Sequence, residues 1–316
     1  MSSVATPTDM GGESRQPAEW PDVHVLEPLA PAEHGATIVF LHGVGGGGQE
    51  ARDFFATFRD PTSVFWRRTR MVFPTARLHA VTRFGGEVMS SWYDITGVGS
   101  RLDEPGLGVQ ASAAYVHRLL DVEAARMPPL TTSRPCTERN LLYLAGFSQG
   151  AALTLFSGHT YRGRLLDGVF AFSGYIFARE SFLAMLEATE GATSTSSPGR
   201  DHRAARLNVC VPCIMCHGRA DDVVLFEFGE ASFKWLGATR RSLGSKQRTP
   251  PPPDDVALPP LDGSFYDEAL QFTFRAGVKH TIAPFMLDAM LGLVAAHLAT
   301  RDGPGQQHHS RVMSKA

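Results

Sequence analysis

The sequence predicts one α/β domain with a mostly parallel central sheet and helices on both faces. Two observations support this prediction. Short apolar runs recur without alternating polar residues, which is typical of strands buried on both faces. Segments of helical length separate these runs, which indicates strand-helix-strand crossovers. With 316 residues the chain is long enough to bury a substantial core around such a sheet.

The first half of the chain supplies two strands and two helices. Residues 36–43, ATIVFLHG, form the first predicted strand, and a helix follows Gln49. Residues 70–77, RMVFPTAR, form the next strand. Residues 108–124 carry apolar side chains at helical spacing and predict an amphipathic helix.

The second half repeats the same order from residue 140 onwards. Each apolar run is followed by a turn and, in most cases, by a segment with helical spacing. The predicted strands are 140–148, 166–174, 208–218 and 270–277, and the predicted helices are 149–158, 226–236 and 284–298.

Loosely composed segments divide the chain into one domain with extensions and insertions. Their Pro, Gly, Ser and charge content cannot bury enough apolar surface to offset the entropy of ordering. We predict a disordered extension over 1–35, a domain over 36–300 with insertions near 128–138, 190–206 and 244–263, and a flexible tail over 301–316. The Pro-rich stretch 249–260 is a candidate docking element for a partner protein.

Composition excludes several function classes. The formal net charge of -2 gives no electrostatic reason for binding nucleic acid. The most apolar stretch, residues 283–300, carries Asp288 and His297, so we predict no transmembrane helix and at most transient contact with a membrane surface. The N-terminus lacks an apolar signal segment, which favours a cytoplasmic location. The last three residues, Ser314-Lys315-Ala316, leave peroxisomal targeting as an alternative.

Three of the four cysteines are close together in the segment CVPCIMCH, at Cys210, Cys213 and Cys216. This spacing resembles haem-attachment and iron-sulfur patterns. However, the segment is predicted to be a buried strand, in which residues three apart point to opposite faces. Free cysteine also packs as a small apolar residue. We therefore expect no metal and no cofactor.

The segment Gly146-Phe147-Ser148-Gln149-Gly150 lies between a predicted strand and a predicted helix. GxSxG in this context is the nucleophile elbow, a tight turn that projects the serine hydroxyl above the sheet. Because a serine hydroxyl is a weak nucleophile, it needs a general base. The pattern therefore predicts Ser148 as a nucleophile with an acid and a histidine further along the chain.

Order along the chain selects the partners of Ser148. His280 follows a predicted strand and precedes the last helix, which favours it as the base. His217 precedes the candidate acids, which is the wrong order. Asp221 and Asp222 both follow a strand directly, and sequence position alone does not choose between them.

A glycine-rich loop after the first predicted strand is the candidate oxyanion loop. It contains His42-Gly43-Val44 followed by the four glycines 45–48. Loops of this kind supply one backbone N–H to an oxyanion, and the second comes from the residue after the nucleophile, here Gln149. A phosphate-binding role is disfavoured because no Lys-Ser/Thr pair follows the glycines.

Five ordered blocks resemble the acyl-protein thioesterase and small carboxylesterase family of α/β hydrolases. They are FLHGVGGGG, the block ending in SSWYDITG, AGFSQGAAL, CHGRADDVV and GVKHTI. The resemblance extends over about residues 36–299 and implies an α/β-hydrolase fold. It also implies Ser148 as nucleophile, His280 as base, Asp221 as acid, Val44 and Gln149 as oxyanion donors, and Trp92 as part of an acyl-binding groove.

The resemblance implies a serine hydrolase that cleaves acyl thioesters or esters through an acyl-enzyme, with acylated proteins as its main substrates. A general carboxylesterase or lysophospholipase acting on small acyl esters would use the same residues. A different class is also open, in which the fold is retained as a ligand receptor or interaction module. The presence of both Asp221 and His280 argues against that alternative, since a receptor does not need them.

Overall fold

The computed structural model describes residues 19–97, 101–127, 140–187, 208–244, 263–267 and 269–300. Within these ranges an eight-stranded sheet forms the centre of the molecule, in the order β1-β3-β2-β6-β7-β8-β10-β9. The inner strands run parallel, and β1 and β9 pair antiparallel at the two edges. A separate hairpin is formed by β4 and β5. The predicted mostly parallel sheet is confirmed.

The strands are short, and those in the sheet interior are buried at every residue or at all but one or two. Their bounds are β1 Val23–Leu26, β2 Ala36–Leu41, β3 Thr69–Pro74, β4 Leu78–Val81, β5 Glu87–Ser90, β6 Leu141–Phe147, β7 Gly168–Phe172, β8 Cys213–Gly218, β9 Gly263–Asp267 and β10 Leu270–Arg275.

Helices cover both faces of the sheet, as predicted. Their bounds are α1 Gly48–Ala56, α2 Val64–Arg68, α3 Val109–Ala125, α4 Gln149–Thr160, α5 Arg179–Glu187, α6 Phe226–Gly244 and α7 Pro284–Ala299. One buried apolar cluster joins α3, α4, α5 and α6 to one face, and a second joins α1, α2 and α7 to the other. Alternate strand residues divide between the clusters, so that Val39 belongs to the first and Phe40 to the second.

Two predicted boundaries differ from the structure. Residues 23–26 of the predicted N-terminal extension form β1, which pairs with β3 and buries Leu26. The strand predicted over 208–218 begins only at Cys213, because Asn208–Cys210 form a 3-10 turn and Pro212 follows. Proline cannot donate a hydrogen bond to a neighbouring strand, which explains the later start.

The remaining predictions about loose segments lie outside the described residues. This holds for residues 128–138 and 190–206, for residues 245–262 of the third insertion with its Pro-rich stretch 249–260, and for the tail over 301–316. Of the helices that the structure describes, none combines the length and the apolar character needed to cross a bilayer.

Candidate active site

Ser148 occupies a strained turn between β6 and α4. Its backbone has φ 56° and ψ -121°, in a region that residues with a side chain rarely adopt. Such strain persists only where the surrounding structure enforces it, and it is common at functional sites. Its N–H donates to the carbonyl oxygen of Phe172 on β7 at 2.9 Å, which holds the turn against the sheet. This is the geometry that the GxSxG pattern predicts.

The two glycines of the elbow are required by close backbone contacts. A Cβ added to Gly146 would lie 2.5 Å from the carbonyl oxygen of Gly150. A Cβ added to Gly150 would lie 2.2 Å from the carbonyl oxygen of Leu41 and 2.4 Å from that of His42. Neither neighbour is a flexible side chain, so a larger residue would displace the backbone. The glycines therefore allow α4 to begin directly against the end of β2.

The side chains of Ser148, His280 and Asp221 form one hydrogen-bonded chain. His280 Nε2 lies 2.8 Å from Ser148 Oγ, and His280 Nδ1 lies 2.8 Å from Asp221 Oδ2. An ionised carboxylate can only accept, so Nδ1 donates to it and Nε2 is left to accept the serine proton. The ring of Phe147 contacts the imidazole, with 4.8 Å between the ring centroids. The structure thus brings together all three residues predicted from separate loops.

Asp221 is buried and surrounded by donors. Its Oδ1 accepts hydrogen bonds from the backbone N–H groups of Val223 and Val224, at 3.0 and 2.8 Å. Burial opposes ionisation of the carboxyl group, but the hydrogen bonds from His217, His280 and the Val224 N–H hold its pKa well below the usual range. Asp221 is therefore a stable anion beside the imidazole.

His217 is a contact of Asp221 that the order rule excluded from consideration. It is buried at the end of β8, and its Nε2 lies 2.7 Å from the carbonyl oxygen of Val224. A carbonyl oxygen can only accept, so Nε2 carries the proton and also approaches Asp221 Oδ2 at 3.4 Å. His217 thus approaches one carboxylate oxygen, Oδ2, while the N–H of Val223 donates to the other, Oδ1. A spacing of four residues within a strand and its following loop gave no sequence signal for this contact.

The acid loop and the histidine loop are joined by backbone contacts. The N–H of Ala220 donates to the carbonyl oxygen of Val278 at 3.0 Å. A Cβ on Gly218 would lie 2.1 Å from that same oxygen, so only glycine permits the approach. These contacts fix the position of His280 relative to Asp221.

The predicted oxyanion loop passes directly beside the elbow. A Cβ on Gly43 would lie 3.3 Å from the Cβ of Ser148. Within the described residues, neither the N–H of Val44 nor that of Gln149 has a hydrogen-bond acceptor. The residues that precede these two N–H groups, Gly43 and Ser148, lie next to each other. That both groups bind one oxyanion near Ser148 Oγ stays a prediction.

His42 holds this loop in position through two hydrogen bonds. Its Nε2 accepts a hydrogen bond from the N–H of Ala76 at 3.0 Å, so its Nδ1 carries the proton and donates to the carbonyl oxygen of Gly43 at 2.6 Å. Burial lowers the pKa of His42 to about 4, which keeps the ring neutral near neutral pH. His42 was not predicted as a functional residue and acts by positioning the loop.

Trp92 is buried next to the site and is hydrogen-bonded both to the oxyanion loop and to Gln149. Only 1% of its surface is exposed. Its indole N–H donates to the carbonyl oxygen of His42 at 2.8 Å, and its backbone N–H donates to Gln149 Oε1 at 3.0 Å. The amide of Gln149 in turn donates to Ser91 Oγ and to the carbonyl oxygen of Tyr93. These contacts describe a bracing role, and direct contact of Trp92 with an acyl group stays a prediction.

The other candidates do not join the site. Asp222 is exposed, and the hydrogen bond of His280 Nδ1 goes to Asp221 instead. Cys213 packs in the cluster on one face of the sheet and Cys216 in the cluster on the other, while Cys210 is exposed. The three thiols therefore do not converge on a common point.

An apolar groove adjoins the elbow on the side of the oxyanion loop. It has a volume of about 200 Å³ and passes Gly43 and Gly46. Its apolar walls are formed by Phe40, Phe54, Phe55, Phe147 and Ile282. His42 and Glu50 add polar groups to the lining. A mostly apolar groove of this size beside a nucleophile can hold a hydrocarbon chain.

Comparison with known proteins identifies the family. The phospholipase/carboxylesterase family profile matches residues 25–247. An acyl-protein thioesterase 1 homolog of Dictyostelium discoideum is 30% identical over 205 residues, covering 64% of this chain and 76% of that protein. A probable carboxylesterase of Oryza sativa is 28% identical over 257 residues, covering 81% and 92%. The crystal structure of Zea mays acyl-protein thioesterase 2 superposes with a TM-score of 0.61 at 25% identity, covering 88% of this chain and 99% of that one. The chain belongs to the phospholipase/carboxylesterase family.

Proposed function

We propose that this protein is a serine hydrolase that cleaves acyl thioesters or esters through a covalent acyl-enzyme. The hydrogen-bonded chain from Ser148 Oγ through His280 to Asp221 is the observation that carries this proposal. Membership of the family and the names of its relatives support the same class of reaction. A receptor would have no need for this arrangement, nor for the strained backbone at Ser148.

The proposed reaction begins when Ser148 Oγ attacks the acyl carbonyl carbon and passes its proton to His280 Nε2. The carbonyl oxygen becomes an oxyanion, which the N–H groups of Val44 and Gln149 stabilise. The imidazolium then protonates the leaving thiolate or alkoxide as the bond to the carbonyl carbon breaks. Asp221 does not take up a proton but stabilises the charge on the ring.

Water completes the cycle. It attacks the ester carbon of the acyl-enzyme and gives a proton to His280, and the collapse of the second intermediate returns that proton to Ser148 Oγ. The products are a free fatty acid or other carboxylic acid and the released thiol or alcohol.

Acylated proteins are the substrates that we propose first. Several relatives are named acyl-protein thioesterases, and the apolar groove beside Phe147 provides a surface for a hydrocarbon chain. Other relatives are named probable carboxylesterases, which favours small acyl esters as the second candidate. We also propose a cytoplasmic location, since the cysteines that the structure describes carry free thiols, as is typical of reducing compartments.

A substrate panel tests this proposal. Purified protein is assayed against acyl thioesters and oxygen esters matched in chain length, and against an S-palmitoylated peptide. Turnover of thioesters that disappears in Ser148→Ala would support the thioesterase assignment. Selective turnover of oxygen esters would favour a carboxylesterase. No turnover of any member by folded protein would contradict the hydrolase proposal.

A further inference from the structure

Trp20 lies before β1, within the stretch 1–35 that the sequence predicts as a disordered extension. Its ring stacks on that of Tyr115 of α3, with 3.9 Å between the centroids and 7° between the planes. The guanidinium carbon of Arg77 lies 4.4 Å from the ring centroid of Trp20, which is a cation–π contact. The ring of Trp92 lies 6.2 Å away, with 25° between the planes. Trp20 therefore joins three separate segments of the chain.

Two of these segments hold His42. The indole N–H of Trp92 donates to the carbonyl oxygen of His42 at 2.8 Å. The N–H of Ala76, the residue before Arg77, donates to His42 Nε2 at 3.0 Å. Trp20 thus packs against both supports of His42, the Trp92 side chain and the segment of Ala76 and Arg77.

His42 connects these supports to the oxyanion loop. Its Nδ1 donates to the carbonyl oxygen of Gly43 at 2.6 Å. Gly43 lies directly against the nucleophile, since a Cβ added to it would be 3.3 Å from the Cβ of Ser148. Val44, the predicted oxyanion donor, is the next residue in the chain. A shift of His42 would therefore move the N–H of Val44 relative to Ser148 Oγ.

The position of this N–H matters for the rate of reaction. Removal of one oxyanion donor costs about 10²- to 10³-fold in kcat, and a misplacement of about 1 Å can cost about 10²-fold. The oxyanion forms in the transition states of both acylation and deacylation and is absent from the bound substrate. A residue that places the donor therefore affects kcat more than KM.

The contacts of Trp20 are suited to holding the two supports in place. Tyr115, on which the ring stacks, is only 9% exposed, and Ser112 Oγ of the same helix donates to the carbonyl oxygen of Trp92. Within the described part of the chain, Arg77 Nε is buried and has no hydrogen-bond acceptor. The contact with Trp20 is therefore important for the placement of the Arg77 side chain.

We propose that Trp20 is a positioning residue for the hydrolase reaction. It holds the two supports of His42 in place and, through His42, sets the direction of the Val44 N–H. It acts without touching the substrate. The inference rests on the proposed function and on the oxyanion role of Val44. Trp20 precedes residues 25–247, the range that matches the family profile, so the profile does not include this role.

Replacement of Trp20 tests the role. Trp20→Ala removes the ring from all three contacts, whereas Trp20→Phe keeps an aromatic ring in the same place. The substrate is the hexanoyl thioester of N-acetylcysteamine, and kcat and KM are measured separately. In Trp20→Ala we expect kcat to fall by about tenfold or more and KM to change by less than about threefold. Trp20→Phe should retain kcat within about threefold.

Trp235→Ala is the matched control. Trp235 is also partly buried against the same apolar cluster, with its ring centroid 5.6 Å from that of Phe182. In the part of the chain that the structure describes, this ring contact is with α5 and not with the supports of His42. We expect Trp235→Ala to be destabilised in a denaturation curve but to keep kcat within about twofold. Trp20→Leu replaces Trp20→Ala if that variant is unfolded at the assay temperature.

A double-mutant cycle tests the route through Trp92. Trp92→Phe removes the indole N–H that donates to His42 and keeps an aromatic ring. If Trp20 acts through this hydrogen bond, Trp20→Ala should lower kcat less in the Trp92→Phe background than in the unchanged protein, by a factor of about three or more. Equal losses in the two backgrounds contradict the proposal.

The outcomes separate the positioning role from the hydrolase activity. The role is overturned and the proposed function stays intact if the unchanged protein is active and Trp20→Ala keeps its kcat, changes only KM, or loses no more kcat than Trp235→Ala. Absence of hydrolysis by folded, unchanged protein overturns both. A fall in kcat that occurs in Trp20→Ala but not in Trp20→Phe or Trp235→Ala supports the proposal.

Discussion

Replacing Asp221 by asparagine should disable the site without changing its shape. In the protein, Oδ1 accepts from the N–H groups of Val223 and Val224, at 3.0 and 2.8 Å. An asparagine must keep its oxygen at this position, because its NH₂ group cannot accept. The NH₂ group then faces His280 Nδ1, where the carboxylate oxygen was 2.8 Å away.

Two donors now face each other, and the imidazole resolves this conflict by changing its tautomer. The proton moves to His280 Nε2, and Nδ1 accepts from the amide. Nε2 can then no longer accept the proton of Ser148 Oγ, from which it lies 2.8 Å away. We expect kcat to fall by about 10⁴, the loss that the same change causes in a serine protease triad.

The assay is thioester hydrolysis at neutral pH with a neutral acyl group, together with a denaturation curve that verifies folding. Asp222→Asn is the matched control, because it makes the same change in the neighbouring, exposed carboxylate. We expect it to retain activity within about threefold, in line with the small effects of surface substitutions. The tautomer reasoning is refuted if Asp221→Asn keeps more than a tenth of the activity, or if Asp222→Asn loses as much.

Three other predictions follow from the same contacts. Gly150→Ala should lower the free energy of unfolding by more than about 2 kcal/mol, because its Cβ would lie 2.2 Å from the carbonyl oxygen of Leu41; an unchanged urea midpoint would contradict this. His217→Phe should lower kcat by about tenfold or more, because Asp221 loses a hydrogen-bond donor. His217→Gln keeps a donor and should restore part of the lost kcat. If both variants are as active as the unchanged protein, His217 has no positioning role. The pKa of Asp221 is lower in the folded protein than in the unfolded chain, where it is about 3.9. The ionised carboxylate therefore stabilises the fold above the unfolded pKa, and this contribution is lost as pH falls through the folded pKa. The stability difference between the unchanged protein and Asp221→Asn should therefore shrink as pH is lowered from about 5 to about 2, and a difference independent of pH would contradict the assignment.

The sequence alone predicted the features that depend on residues close together in the chain. The strand-turn-helix around Ser148 was predicted because GxSxG and the apolar runs on both sides are adjacent in the chain. His280 could be selected because its position between a strand and the last helix is also a local property. Asp221 and Asp222 were indistinguishable by position, since the choice depends on which carboxylate the loop turns inward.

The features that sequence reasoning missed depend on contacts between distant segments. β1 was predicted as part of a disordered extension because its four residues, VHVL, are too few to give a clear pattern, and pairing with β3 is what orders them. The contact of His217 with Asp221 is an exception, because the two residues are only four apart, but it depends on the turn after β8, which the sequence pattern did not specify.

Covalent labelling tests the central claim that Ser148 is activated by His280. The protein is treated with an alkyl fluorophosphonate, and the modified residue is located and the rate of labelling measured by mass spectrometry, with Ser148→Ala and His280→Ala alongside. We expect one label per molecule, on Ser148, with a rate that falls by about 10³-fold or more in His280→Ala, in proportion to the loss of the general base. Folded protein that is not labelled, is labelled at another residue, or is labelled equally fast without His280 would contradict the claim.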